Sequence, residues 1–224
     1  MANNCYSQYT YHTTIENLES LKSFNKFISD NYNLTRIVDY LKELDLTDEQ
    51  IRNMINEEDY RDEVFGCSDI ETKTTEDGKE LYYFTVDAES AWVPHPRPFQ
   101  IMKDRDWSGI NMEVYSEEPG CDLFINTDTE GIFDPTRYRV FGYYCNWGVD
   151  SGNEFEEYFE TKEEIARFLN SEIESDRFTA DMDIYEMEKV ADSILSDKYD
   201  TSSVSVYEFE TDISDYASAP EINV

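Results

Sequence analysis

The chain has 224 residues, and its 51 acidic side chains outnumber 18 basic ones to give a net charge of −33. A sequence pI near 4.1 excludes direct binding to nucleic acid or to an anionic membrane surface, because both require cations on the protein. Such charge alone favours disorder, but an aromatic content of 15% supplies apolar surface for a core, so we expect the acidity to serve a partner.

The first part of the chain is predicted to form a strand followed by three helices. Aromatic and polar residues alternate from Tyr6 to His12, as they do in a strand. Apolar residues then recur every three or four positions over 18–28, 37–44 and 51–55, which predicts amphipathic helices. The helical stretch at about 35–60 is interpreted as an insertion.

The middle of the chain is predicted to be mainly strands. Apolar residues alternate over 70–74 and 80–86, and the Asp77-Gly78 turn between these runs indicates a hairpin. The proline-rich segment 93–99 predicts an extended connection rather than a helix, since proline restricts both itself and the residue before it. Further strands are predicted over 110–118, 121–128 and 137–147.

The last part of the chain is more acidic. Residues 148–153 are loop-like, and we place a boundary there, with a core at 1–149 and an acidic helical section at 150–224. A capping box at Thr161 and Glu164 opens one helix, a second covers 184–195, and a strand follows at 204–210. Residues 150–224 carry a net charge of −17 over 75 residues, against −16 over the first 149. This asymmetry predicts where a basic partner would dock.

Catalytic and metal-binding motifs are absent from the sequence, which has no G-x-S-x-G, H-E-x-x-H or Gly-rich phosphate loop. Residues 126–131 imitate the start of an EF-hand loop, but its twelfth position is Arg137 instead of a bidentate Glu. Asp176, Asp181 and Asp183 could hold a hard cation, although Asp before a helix is expected as its cap. We predict no enzyme activity, no metal and no cofactor.

The sequence also predicts the cellular compartment of the protein. No apolar run approaches the ~20 residues that cross a bilayer, and the N-terminal residues lack the basic and apolar regions of a signal peptide. The four cysteines form no C-x-x-C pair, which favours reduced thiols over a disulfide framework or a zinc site. We expect a soluble protein of the cytoplasm and make no prediction of its oligomeric state.

Three short motifs resemble the YubB ferredoxin-like family of phage and plasmid proteins. They are Met1-Ala2-Asn3-Asn4-Cys5 before a strand, Ala91-Trp92-Val93-Pro94 after a strand, and the segment from Tyr115 to Gly120 at the end of another. The likeness covers about residues 1–30 and 80–147; the family usually has Trp at the position of Asn4, and the acidic C-terminal section lies outside its pattern. The resemblance implies an α+β sandwich with an antiparallel sheet, carried on a mobile element, and no catalytic residues.

The alternating strands and amphipathic helices predict the same fold class independently. We expect an α+β protein in which an antiparallel sheet with packed helices forms a ferredoxin-like core, with a helical insertion and an acidic C-terminal section.

Two functions are favoured by these observations. The first is a phage or mobile-element inhibitor of a host defence system, anti-CRISPR or anti-restriction, that mimics nucleic acid and blocks the basic DNA- or RNA-binding channel of a nuclease or effector complex. The alternative is a non-catalytic interaction module of a mobile element whose acidity serves solubility; a metal-dependent hydrolase is a third hypothesis. The acids predicted to bind the partner lie on the two late helices and the loop before them: Glu154, Glu156, Glu157, Glu160, Glu163, Glu164, Glu172, Glu174, Asp181, Asp183, Glu186, Glu188 and Asp192.

Overall fold

The computed structural model describes residues 4–56, 61–147 and 152–217, which form two antiparallel sheets with helices packed against them. The α+β class is therefore confirmed. The chain divides into two compact units, the first formed by Met1–Phe133 with Glu210–Val224 and the second by Asp134–Phe209.

The first unit contains a six-stranded sheet and four helices. The sheet has the order β2–β4–β1–β5–β6, and β3 pairs with β4 further along the same edge as β2. Its elements in chain order are β1 (Asn4–Thr13), α1 (Leu18–Asp30), α2 (Ile37–Glu43), α3 (Asp48–Arg52), β2 (Glu63–Cys67), β3 (Glu71–Thr74), β4 (Glu80–Ala91), α4 (Pro96–Asp106), β5 (Asn111–Glu118) and β6 (Leu123–Asn126).

One face of this sheet carries the core. Side chains alternate between the two faces of a strand, and in β1 the buried Tyr9 and Tyr11 point toward the helices. Tyr9 stacks on Phe99 with ring centroids 3.8 Å apart, and Phe24 stacks on Trp107 at 4.6 Å. All four helices contribute residues to this core, so they lie against one face, and no described helix of this unit packs on the other.

The prediction for the proline-rich segment was wrong, because α4 begins at Pro96 where we expected an extended connection. Pro96 and Pro98 both lie in the first turn, where backbone N–H groups have no acceptor within the helix, so proline removes no hydrogen bond there. The apolar side chains of Phe99 and Met102 then anchor the helix in the core.

The succession β1–α1–β2–β4–α4–β5 follows a β-α-β-β-α-β order, with β1 between β4 and β5. Helices α2 and α3 lie between α1 and β2, at the predicted helical insertion, of which residues 57–60 lie outside the described residues. The more specific ferredoxin-like assignment stays a prediction.

The second unit is a smaller sheet with two helices. Its elements are β7 (Tyr138–Cys145), β8 (Asn153–Phe159), α5 (Lys162–Glu172), α6 (Ile184–Ser196) and β9 (Thr201–Glu208), with strand order β8–β7–β9. Both helices pack on the face that carries Val140, Val204 and Val206. Phe155 covers Gly142 so closely that a Cβ atom there would lie 2.0 Å from the Phe155 ring.

Two predictions about this unit differ from the structure. We expected a loop where β8 lies. The apolar pattern of this strand, which places Phe155 and Phe159 toward the core, is interrupted by glutamates at 154, 156 and 157. The predicted boundary fell at 148–153, of which residues 148–151 lie outside the described residues. The first unit instead ends at Phe133, since β7 is the central strand of the second sheet and pairs with both β8 and β9.

After β9 the chain returns to the first unit. The backbone N–H of Asn126 donates to the carbonyl of Glu210 at 2.8 Å, and the N–H of Glu210 donates to the carbonyl of Phe124 at 2.8 Å. Ile213 and Tyr216 pack on a small cluster that includes β6. Among the helices described, none has the length and apolarity to span a membrane.

Candidate interaction face

Several of the predicted partner-binding acids serve the fold of the second unit. The Glu164 side chain accepts from backbone N–H groups in the α5 capping box, and Asp183 accepts from the N–H of Glu186 as the cap of α6. The cap is the role we preferred for Asp183. Glu156 forms an ion pair with Arg139 at 2.8 Å, with the guanidinium side chain largely buried.

Glu188 and Asp192 close the free edge of strand β9. They lie four residues apart on α6, and their carboxylates accept from the backbone N–H groups of Val206 at 2.7 Å and Val204 at 2.9 Å. One oxygen of each carboxylate is thus engaged by the strand edge. The structure therefore gives them a structural role.

The other predicted acids do not share one surface. Glu154 and Glu157 point to opposite sides of β8, because side chains alternate along a strand. Glu163 lies in the first turn of α5 and Glu174 follows its end, about 16 Å away at the helical rise of 1.5 Å per residue. The remaining members lie on loops and on both helices: Glu160, Glu172, Asp181 and Glu186.

The predicted concentration of charge toward the C-terminus disappears when charge is counted by structural unit. The first unit carries 32 acidic and 11 basic residues, a net −21 over 148 residues, and the second carries 19 and 7, a net −12 over 76. The net charge per residue is thus nearly equal in the two units. The asymmetry arose because the predicted boundary counted residues 134–149, with a net charge of +1, in the first part and residues 210–224, with a net charge of −4, in the second.

The EF-hand-like segment forms a turn. The two carboxylate oxygens of Asp128 accept from the backbone N–H groups of Ile132 at 3.1 Å and Phe133 at 2.5 Å, and Asn126 accepts from the N–H of Asp128 at 3.0 Å. These oxygens therefore satisfy backbone groups. Across the described residues, no group of three or more His, Cys, Asp or Glu side chains could hold a metal ion.

The helix-free face of the six-stranded sheet holds a more coherent set of acids. In register across four neighbouring strands, Glu63 of β2 lies opposite Glu89 of β4, Glu89 opposite Tyr6 of β1, and Tyr6 opposite Glu117 of β5. Directly opposed residues of an antiparallel pair project to the same side, so these four side chains form one row. Asp87 lies on the same face two residues from Glu89. We call Tyr6, Glu63, Asp87, Glu89 and Glu117 the acidic patch.

The patch brings like charges close together. Carboxylates directly opposite each other in a sheet repel, and Glu63 and Glu89 are such a pair. Arg36 lies opposite Glu63 at the sheet edge, so one cationic residue adjoins the end of the row. Lys73 of β3 shares the helix-free face further along β4. A cation from outside the chain would relieve the repulsion.

Hydrogen bonds hold part of the patch in place. Tyr6 donates its phenol O–H to Asp87 at 2.8 Å, and the Gln8 side-chain amide donates to the same oxygen at 2.9 Å. Burial, with the Asp87 hydrogen bond adding to it, raises the pKa of Tyr6 well above its usual value. Tyr6 therefore stays neutral and keeps donating, so the Asp87 carboxylate is oriented before any partner arrives.

No family model, curated protein or solved structure matches the chain. The resemblance to the YubB family therefore stays a prediction. Sequence reasoning missed the acidic patch because its members lie on four strands, and only the strand register brings them together. The polar positions in β1, β4 and β5 were a usable signal, since they alternate with the apolar ones that form the core.

Proposed function

We propose that this protein inhibits a basic nucleic-acid-binding protein by placing the acidic patch where the phosphate backbone would lie. The observation that carries the proposal is the row that holds Glu63, Glu89 and Glu117, in which the carboxylates of Glu63 and Glu89 are directly opposed. Neighbouring strands lie about 4.8 Å apart. Glu63 and Glu89 are on neighbouring strands, and Glu117 lies two strands from Glu89 with Tyr6 between them, so the row places three carboxylates on one face of the sheet. Arg and Lys side chains that evolved for phosphates would pair with it.

The partner class follows from the charge. A net charge of −33 steers the protein toward basic grooves and away from nucleic acid itself. Defence nucleases and effector complexes present such grooves, so we propose an anti-CRISPR or anti-restriction role for a phage or mobile-element protein, acting in the cytoplasm of the host cell. The protein needs no catalytic group for this role, since occupying the channel is sufficient.

A competition experiment tests the proposal. A labelled DNA duplex is bound to a purified RNA-guided nuclease or to a purified restriction endonuclease, and its displacement by this protein is measured at about 50 and about 200 mM salt. We expect displacement that weakens at the higher salt, and a loss of about tenfold or more in potency for the triple variant Glu63→Gln, Glu89→Gln, Glu117→Gln. The proposal fails if neither enzyme releases its duplex.

The matched control removes the same charge elsewhere. Glu160→Gln, Glu174→Gln and Asp181→Asn neutralise three exposed acids of the second unit and keep the net charge equal to that of the triple patch variant. Equal losses for the two triple variants would show that net charge, rather than the patch, causes the displacement.

The alternative function, a non-catalytic interaction module, is favoured by one observation. Phe65 and Tyr32 are 60% and 84% exposed, and exposed large apolar side chains mark interaction surfaces when they cluster. Binding through such a surface would depend little on salt, so the same salt series separates the two functions.

A further inference from the structure

An apolar pocket lies at the β2 edge of the sheet, beside the acidic patch. It has a volume of about 210 Å³, and its walls include Ile28, Tyr32, Tyr40, Val64, Phe65 and Cys67. Ile28, Tyr40 and Val64 are buried and form a fixed floor, whereas Tyr32 and Phe65 stand exposed at the rim. The volume is below the roughly 300–1,000 Å³ of small-molecule sites, so it suits one large side chain.

Phe65 connects the pocket to the acidic patch at the edge of the sheet. The ring of Phe65 lies 6.2 Å from that of Tyr6, centroid to centroid, and Tyr6 donates to Asp87 within the patch. Glu63 precedes Phe65 by two residues on the same strand and is exposed. Phe65 thus lies between the pocket on the helix side of β2 and the acidic patch on the helix-free face.

We propose that this pocket receives an aromatic side chain of the basic partner, flanked in the partner by Arg or Lys residues that reach the acidic patch. The proposal rests on the proposed function, because it assumes a cationic partner. Charge complementarity selects the occupant: a second copy of this chain would bring the same excess of carboxylates and be repelled. The aromatic walls, Tyr32, Tyr40 and Phe65, favour an aromatic ring, and such anchors in pockets dominate interface energetics.

Two peptides test the proposal directly. One is acetyl-Arg-Arg-Trp-Arg-Arg-amide, and in the other alanine replaces the tryptophan; binding of each is measured by calorimetry at low and at high salt. We expect both peptides to bind more weakly at high salt, with the tryptophan peptide bound about tenfold tighter at each salt concentration.

Substitutions at side chains of matched solvent exposure show whether the tryptophan binds in this pocket. Phe65→Ala and Tyr32→Ala should abolish the preference for tryptophan, and their folding is checked by circular dichroism. Tyr185→Ala and Trp147→Ala should keep the preference, because Tyr185 is 61% and Trp147 is 82% exposed in the second unit, matching Phe65 and Tyr32.

The outcomes separate the two proposals. If the unmodified protein binds both peptides equally and in a salt-dependent way, the pocket proposal is overturned and the acidic patch stays supported. The same holds if the preference for tryptophan survives in Phe65→Ala. Salt-independent binding of the tryptophan peptide alone supports the pocket and contradicts an electrostatic function. If neither peptide binds, the pocket proposal fails, and the duplex competition alone decides the proposed function.

Discussion

At the scale of single residues, the most consequential contact is a buried acid–histidine pair. Asp62 precedes β2 and His95 precedes α4, and the Asp62 carboxylate lies 2.7 Å from Nδ1 of His95 with both side chains buried. The backbone carbonyl of Asp62 also accepts from the N–H of Ile37 at the start of α2. One aspartate thereby joins a strand and two helices of the first unit.

We predict that Asp62→Ala lowers the free energy of unfolding by about 3–5 kcal/mol, because the change removes the buried carboxylate that contacts Nδ1 of His95. Urea denaturation followed by circular dichroism measures the loss. Asp69→Ala removes an exposed carboxylate of the same unit and should cost less than about 0.5 kcal/mol. Equal effects of the two substitutions would show that the Asp62–His95 contact adds nothing to stability.

At the scale of elements, α6 protects the open edge of β9. An edge strand with free N–H groups is a template for pairing with another chain, and Glu188 and Asp192 occupy two of these groups. The double variant Glu188→Ala, Asp192→Ala should lose about 2–4 kcal/mol of stability and should self-associate. Size-exclusion chromatography at increasing concentration detects the association.

The control for the edge is on the same helix. Glu186 is exposed, and its carboxylate makes no contact with β9 among the described residues, so Glu186→Ala should stay as stable and as monodisperse as the unmodified protein. If the double variant behaved like Glu186→Ala, the proposed role of Glu188 and Asp192 in closing the strand edge would be contradicted.

Most individual elements could be predicted from the sequence, whereas the relations between them could not. Strict periodicity located α1, α5 and α6, and the Asp77-Gly78 turn located the β3–β4 hairpin. Periodicity failed for β8, where glutamates interrupt the aromatic residues, and composition failed for α4, whose prolines occupy the one turn that tolerates them. The candidate site depends on register across four strands, a long-range property that no local pattern encodes.

At the scale of the whole molecule, buried phenols limit stability at alkaline pH. Burial raises the pKa of Tyr9 and Tyr11 well above the usual value near 10. The folded state therefore holds protons that the unfolded state releases, so the stability they contribute is present below about pH 10 and is lost as pH rises further. We expect a melting temperature that is steady from about pH 7 to 9 and falls above about pH 10.

Two measurements check this expectation. Phenolate absorbance from the buried tyrosines should appear together with the loss of circular dichroism rather than before it. Tyr9→Phe should reduce the alkaline loss, whereas Tyr32→Phe, at an exposed position, should leave it unchanged. A buried phenol that ionised in the folded protein would contradict the argument.

The first unit is formed by two separate stretches of the chain, and this affects the order in which the units can fold during translation. The second unit is one uninterrupted stretch, Asp134–Phe209, and can complete its sheet as soon as it leaves the ribosome. The first unit begins earlier yet needs Glu210 beside Ile125, and Ile213 and Tyr216 against the cluster around β6, so it must wait with that strand unfinished. We infer that the segment translated after the second unit completes the unit translated before it, and that a ribosome stalled near residue 209 would display an unclosed β6 to chaperones.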